Sequence, residues 1–274
     1  MKNTVLITGA STGIGRATAL YFQEKGWNVI ATMRTPEKEE ELSKKENMMV
    51  ARLDVTDLDS INSTVKTGIE KFGKIDVLVN NAGYGAYGPL ETFPRENIVR
   101  QFNTNVIGLL DVTRALLPHF REHKEGVLIN VSSVGGKVTF PLGTLYHGTK
   151  FAVEGLTEAL SFELEQIGCS AKIIEPGSIA TDFGGRSFDF QNDERIEEYQ
   201  PMIKALFKGL EGILSDKNRV APPFVVAEVI YQAATDGTNR LRYTAGYDAD
   251  MFLSAKTQAT DEEYVTAIKN QFGI

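Results

Sequence analysis

Tyr146 and Lys150, two side chains with proton chemistry, stand four residues apart. In a helix that spacing puts both on one face. A phenol with an ordinary pKa of ~10 is a poor acid or base at neutral pH. A neighbouring ammonium favours the phenolate and draws that pKa toward the working range. The apolar spacing of residues 151–166 predicts the helix that would carry the pair. By itself the pattern equally suits an ordinary pair on a helix surface, so its meaning depends on the elements around it.

Those elements alternate. Short runs rich in Val and Ile occur at residues 4–8, 28–33, 48–53, 75–80, 127–131 and 171–175, with helical spacing between them, as at 13–25 and 58–72. Thr56-Asp57 opens the second of these helices as a cap. Nearly continuous apolar strands separated by helices predict an α/β fold, a Rossmann-like doubly wound parallel sheet with helices on both faces. The charged run at 37–46 pairs Glu40 with Lys44 and Glu41 with Lys45, which predicts a solvated helix face.

Thr8-Gly9-Ala10-Ser11-Thr12-Gly13-Ile14-Gly15 links the first strand to the first helix. Gly9 permits the tight turn, Gly13 lets backbone approach a pyrophosphate at the helix N-terminus, and Gly15 lets helix and sheet close up. The second strand ends in Thr32-Met33-Arg34, with no carboxylate to grip a ribose 2′-hydroxyl. Arg34 suits a 2′-phosphate, so the expected cofactor is NADP(H) rather than NAD(H).

The glycine loop, Asn80-Asn81-Ala82-Gly83, Asn105, Ser133, Tyr146, Lys150 and Pro176-Gly177 follow one another in order. This resembles the short-chain dehydrogenase/reductase family over about the first two-thirds of the chain. The resemblance implies a catalytic tetrad of Asn105, Ser133, Tyr146 and Lys150. Ser133 would hold a carbonyl oxygen, Tyr146 would give or take its proton, and Asn105 would hold a water linking Lys150 to solvent. Lys150 would also hold the nicotinamide ribose. It implies cofactor contacts at Gly9, Ser11, Thr12, Gly13, Ile14 and Gly15, at Asp54 and Val55 beside adenine, and at Asn81, Ala82 and Gly83. Tyr146, Lys150, Pro176, Gly177, Ile179 and Thr181 complete that set. Ala31-Thr32-Met33-Arg34, Gly83-Tyr84-Gly85 and Tyr146-His147-Gly148-Thr149-Lys150 further resemble the 17β-hydroxysteroid-dehydrogenase-like and retinol-dehydrogenase-like branches, a carbonyl reductase grouping.

The irregular stretch 177–192 follows a strand end, where open α/β sheets bind ligands, and its aromatic residues suggest an apolar flap. The chain is expected to be one catalytic domain over 1–274, with a substrate-covering loop and helix at about 182–220. Val134, Phe140, Leu142, Phe183 and Phe188, with Tyr84 and Tyr87, are the expected substrate walls. They lack a cationic clamp, so an apolar ketone or aldehyde is the expected substrate. A non-catalytic NADP(H)-sensing protein and an NAD-preferring alcohol or hydroxysteroid dehydrogenase are the competing readings. An epimerase would need more chain after Thr181.

The net charge is −7, from 29 basic and 36 acidic residues, which disfavours nucleic acid as a partner. Cys169 is the only cysteine, so no internal disulfide or Cys-based metal site is expected. No apolar run reaches the ~18 residues of a membrane span, and a cytoplasmic location is expected. His119 and His123 fit an H-x-x-E-H zinc pattern but fall at an expected helix end, where cations suit the dipole. Gly148, Ala152, Gly155 and Ala159 leave small side chains along the Tyr146 helix. With the family resemblance, they lead to an expected homodimer or homotetramer.

Overall fold

The computed structural model describes residues 2–182, 185–216 and 218–274, with residue 214 described by its backbone alone. Phe183, one of the expected pocket walls, lies outside the described residues. The chain runs β1 (Thr4–Ile7), α1 (Gly13–Glu24), β2 (Asn28–Met33), β3 (Met48–Arg52), α2 (Leu58–Phe72), β4 (Val77–Asn80) and β5 (Gly85–Tyr87). It continues through α3 (Arg95–Phe102), α4 (Gly108–His123), β6 (Val127–Val131), α5 (Thr144–Gln166), β7 (Ser170–Pro176) and β8 (Phe188–Phe190). The last elements are α6 (Gln200–Ser215), α7 (Pro223–Thr235), β9 (Arg242–Ala245), α8 (Ala249–Thr257) and α9 (Asp261–Phe272).

Seven strands form one parallel sheet in the order β3-β2-β1-β4-β6-β7-β9. The order reverses between β1 and β4. Both strands end there at the same edge, the place where doubly wound sheets bind ligands. Successive strand residues serve opposite faces. Val5, Ile7, Val29, Ala31, Val77 and Val79 pack with Phe22 of α1 and Ile230 of α7. Leu6, Ile30 and Leu78 pack on the other face with Ile61 of α2, Leu116 of α4 and Leu164 of α5. That is why the strands read as unbroken apolar runs.

Local signals explain several boundaries. The Asp57 carboxylate accepts from the Asp59 and Ser60 amides, capping α2 as its sequence predicts. His119 near the end of α4 accepts from the Ile75 amide at 3.1 Å. The His123 ring meets the His119 carbonyl. The His119 ring thus ties α4 to the residues leading into β4, while the His123 bond stays within α4. Among the described residues, no group of three or more His, Cys, Asp or Glu is arranged to hold a metal. No described helix is long and apolar enough to cross a membrane.

The charged run at 37–46 departs from its expected helix. It forms two short 3₁₀ turns, Pro36–Lys38 and Leu42–Lys44, with Leu42 buried. Glu39 and Glu41 both pair with Arg16 of α1. A buried leucine and a cation on another element outweigh the weak i,i+4 pairs.

Candidate active site

Tyr146 lies in the first turn of α5 and is buried, at 8% exposure. Ser133 caps the short turn Val134–Gly136 that follows β6; its Oγ accepts from the Gly135 amide at 3.0 Å. The Ser133 hydroxyl is also hydrogen-bonded to the Tyr146 side chain. Ser132, the neighbour that sequence alone leaves easily confused with it, has a buried Oγ with no described hydrogen-bond partner. One turn beyond Tyr146, the Lys150 ammonium donates to the Val131 carbonyl at 2.9 Å and lies 5.9 Å from the Tyr146 ring centre.

The electrostatics differ from the sequence expectation. Burial pushes the Tyr146 phenol up to about 12, against the Ser133 hydroxyl bond that lowers it. Burial likewise brings Lys150 down to about 8, opposed by the charge of Glu154. Desolvation therefore outweighs the expected pull of the ammonium on the phenol. The shielding comes from residues distant in sequence: Tyr87, Leu206 and Phe272 pack around Tyr146.

Asn105 sits in a π turn, Asn103–Ile107, between α3 and α4. Such wide turns recur at functional sites. Its Oδ1 accepts from the Tyr84 amide at 3.1 Å, while Nδ2 donates to the Tyr84 carbonyl at 2.9 Å and to Thr149 Oγ1 at 3.1 Å. Both amide protons are thus used within the protein. Asn105 clamps the loop after β4 to α5, so a relay water would have to meet its Oδ1 or its main chain.

The expected cofactor residues converge on the ends of β1, β4 and β7. Thr8 Oγ1 accepts from the Asn81 and Ala82 amides, both at 3.0 Å, and Asn81 Nδ2 donates to the Thr8 carbonyl at 2.9 Å. A Cβ on Gly15 would lie 2.4 Å from the Gly9 carbonyl oxygen, so only glycine permits this closeness. Gly13, at φ +57°, lies under Thr181, whose methyl would be 3.3 Å from a Cβ there. Gly83 abuts Asn105 in the same way, at 3.1 Å from its Oδ1. Ser11, Thr12 and Ile14 complete the loop, and no side chain caps the first turn of α1. Uncapped amides at a helix start, above a floor without Cβ atoms, fit a dinucleotide pyrophosphate.

After β3, Asp54 Oδ1 accepts from the Thr56 amide and hydroxyl. The Val55 side chain is buried in the core, so only its backbone is available there. Arg34 is exposed, and no described group pairs with it. On the other side of the sheet centre, Pro176 closes β7 and the Gly177 amide donates to the Ala245 carbonyl of β9. Asp248 Oδ1 takes the Ser178 amide at 2.8 Å and would lie 2.1 Å from a Cβ on Gly177. Ile179 bridges to Ala221.

The expected substrate walls divide. Phe188, Phe140 and Leu142 join Tyr87 and Tyr146 in one apolar cluster with Leu206 and Leu210 of α6 and Ile268 and Phe272 of α9. Leu142 holds a left-handed backbone, φ +63°, while its carbonyl takes the Gly88 amide. Strain of this kind collects at functional sites. Val134 packs instead beneath α8 and α9 with Phe252 and Tyr264, although Phe140 spans both clusters. Tyr84 turns toward α3, where Arg100 donates to its hydroxyl. The stretch expected to be a flap ends in β8, which pairs with β5 in a second, two-stranded sheet. Tyr87 stacks on Phe188 at 5.4 Å and 28° and lies 5.5 Å from the Tyr146 ring.

A family model described as short chain dehydrogenase matches residues 3–192. The chain belongs to the short-chain dehydrogenase family. This short-chain dehydrogenase is 43% identical over 242 residues to an uncharacterised oxidoreductase of Schizosaccharomyces pombe, covering 88% of the chain and 100% of the relative. A short-chain dehydrogenase structure from Streptomyces avermitilis superposes with a TM-score of 0.82 at 31% identity, covering 99% of this chain and 98% of that one. ElxO, solved with NADP bound, superposes with a TM-score of 0.75 at 30% identity, over 91% and 99% of the two chains. The chain is therefore an oxidoreductase of the short-chain dehydrogenase type.

Some of what braces this short-chain dehydrogenase site has no sequence motif. His147 is buried; its Nε2 accepts from the Phe140 amide at 3.0 Å, leaving Nδ1 to donate to the Gly135 carbonyl at 2.9 Å. The ring ties both ends of the 135–140 loop to α5, facing away from any role in proton transfer. Behind Lys150, Arg242 of β9 lies 3.0 Å from Glu154 and 3.8 Å from Glu175. The longer distance exceeds a hydrogen bond, and one oxygen of each carboxylate is buried without a described partner.

Burial raises the Glu175 carboxyl to about 7, reinforced by Glu154 and Asp250 and opposed by Arg242 and Lys137. The native state then holds a proton that the unfolded chain, near its ordinary 4.5, has released. Stability consequently falls as pH rises between those values and is level above them. Glu175→Gln should flatten this, reducing the loss of Tm between about pH 5 and about pH 8 by on the order of 5 °C. An unchanged loss of Tm in the variant would contradict the assignment.

Proposed function

We propose that the protein is an NADP(H)-dependent oxidoreductase that interconverts an apolar ketone or aldehyde and its alcohol, with Tyr146 as general acid and base. The hydroxyl bond between Ser133 and Tyr146, beneath an apolar and aromatic wall, carries this reading. A bound dinucleotide supplies or accepts the hydride. Ser133 Oγ accepts from the Gly135 amide and makes a long bond, 3.5 Å, to the Pro176 carbonyl, which its proton would exchange for a substrate carbonyl oxygen. Tyr146 is protonated at neutral pH and can therefore act as the acid in the reducing direction. For oxidation it must lose that proton, which requires Lys150 to turn its charge from the Val131 carbonyl toward the phenol.

The start of α1, which no described side chain caps, and Arg34, which no described group pairs, support a dinucleotide with a 2′-phosphate. ElxO, similar along most of this chain, is a protein solved with that cofactor. Apart from Ser133, Lys150 and His147, the side chains clustered with Tyr146 are apolar or phenolic, which favours neutral substrates over keto acids. The presence of Asn105, Ser133, Tyr146 and Lys150 together supports catalysis over a purely sensing role.

Following NADPH oxidation across neutral ketones, aldehydes and keto acids tests the proposal. Turnover is expected with the neutral carbonyls and should be weakest with the acids. Binding of NADPH without oxidation by any member of a broad panel would favour the sensing protein. A sharp preference for keto acids would overturn the apolar assignment.

A further inference from the structure

The described residues between β7 and β8, 177–182 and 185–187, meet the glycine-rich loop at two points. At their start, Thr181 packs on Gly13. At their far end, β8 pairs with β5, and Asp189 of β8 takes bonds from Arg100 and Asn97 of α3. Between these anchors Arg186 reaches the glycine-rich loop, where its Nη2 donates to Thr12 Oγ1 at 2.5 Å. Its Nε lies 3.8 Å from Asp182, the nearest acidic partner, and the side chain is half-exposed.

Thr12 is the N-cap of α1, and no side chain caps that helix. The amides there form the positive end of the helix dipole. A guanidinium held against that end is electrostatically unfavourable, and one exposed carboxylate at 3.8 Å offsets little of the cost. An anion lying between the guanidinium and the amides would satisfy both. The dinucleotide reading puts a doubly charged pyrophosphate at that helix start.

We propose that Arg186 is a ligand of the cofactor pyrophosphate, and that it ties cofactor binding to the segment leading into the Phe188 wall. The inference rests on the dinucleotide reading above. Arg34 would meet a group that NADPH has and NADH lacks, whereas Arg186 would meet one that both share. Loss of Arg186 should therefore weaken both cofactors by a similar factor, about tenfold for a charge-assisted contact.

Fluorescence titration of wild type, Arg186→Ala and Arg186→Lys with NADPH and with NADH decides this. Limited chymotrypsin digestion, with and without NADPH, provides a readout independent of activity. The expected result is parallel weakening of both cofactors in Arg186→Ala and partial retention in Arg186→Lys. NADPH should protect the Phe188–Phe190 region from cleavage in wild type but not in Arg186→Ala. Unchanged affinity for both cofactors in Arg186→Ala, with normal wild-type binding, overturns the inference and leaves the dinucleotide reading standing. Weakening of NADPH alone would move Arg186 to the 2′-phosphate and also overturn it. Absence of binding of either cofactor to wild type would remove the underlying reading together with the inference.

Discussion

Tyr146→Phe is expected to lower kcat by about 10²–10⁴-fold, the range supplied by a positioned acid or base, while NADPH binds nearly as tightly as before. The substitution deletes one oxygen and leaves the ring. The packing of that ring at 5.5 Å from Tyr87 and 5.6 Å from His147 should persist, and with it the start of α5. What disappears is the hydroxyl bonded to Ser133 and the proton it would deliver. A loss confined to kcat, with an unchanged Tm and unchanged NADPH titration, would place the defect in the chemical step. Near-normal turnover would exclude Tyr146 as the proton donor. A collapse of Tm would show instead that the buried hydroxyl is structural, and the rate loss could not then be read as chemistry.

The second large effect is expected from Arg34→Asp. It should move the ratio of NADPH to NADH affinity by at least about 10²-fold toward NADH, through lost pairing and added repulsion at a 2′-phosphate. Arg34 is exposed, so little packing is lost. Arg16 is committed to Glu39 at 2.6 Å and to Glu41, and Arg52, beside the end of β2, to Asp57 at 3.0 Å, so neither is a ready substitute. Kd values for both cofactors, with wild type and variant side by side, measure the change. If wild type binds NADH as well as NADPH, the discrimination assigned to Arg34 does not exist. If the variant loses both cofactors equally, Arg34 supports the fold of the groove rather than reading the phosphate.

The parts of this protein legible in its sequence are those specified by short stretches. The glycine loop works through the geometry of neighbouring residues, and Gly15 meets Gly9 only six positions away. The strand runs are visible because both faces of the sheet are covered. Tyr146 and Lys150 share a helix turn. Long-range pairings were not legible. The β5–β8 sheet joins residues more than a hundred positions apart, and β9 is a four-residue edge strand with exposed neighbours. The Asp248 carboxylate that fixes Ser178 comes from a single residue, with no local pattern to mark it. The raised pKa of Tyr146 has the same origin, since Leu206 and Phe272 bury it from helices far along the chain. At residues 37–46 the local charge pattern was informative in itself but pointed the wrong way, because Arg16 lies outside the window in which i,i+4 pairs are counted.

The apolar wall around Tyr146 draws on β8, α6 and α9, while the clusters on the two faces of the sheet draw on other residues. On the proposed function, chemistry and selectivity would thereby be carried by separable parts of one chain. A change of shape at Leu206, Leu210 or Ile268 alters the space above the phenol without removing a side chain from between sheet and helices. Such positions can drift toward a new substrate while the strands, the glycine loop and the proton donor stay as they are. One scaffold can in this way support many related reactions without redesigning its foundation.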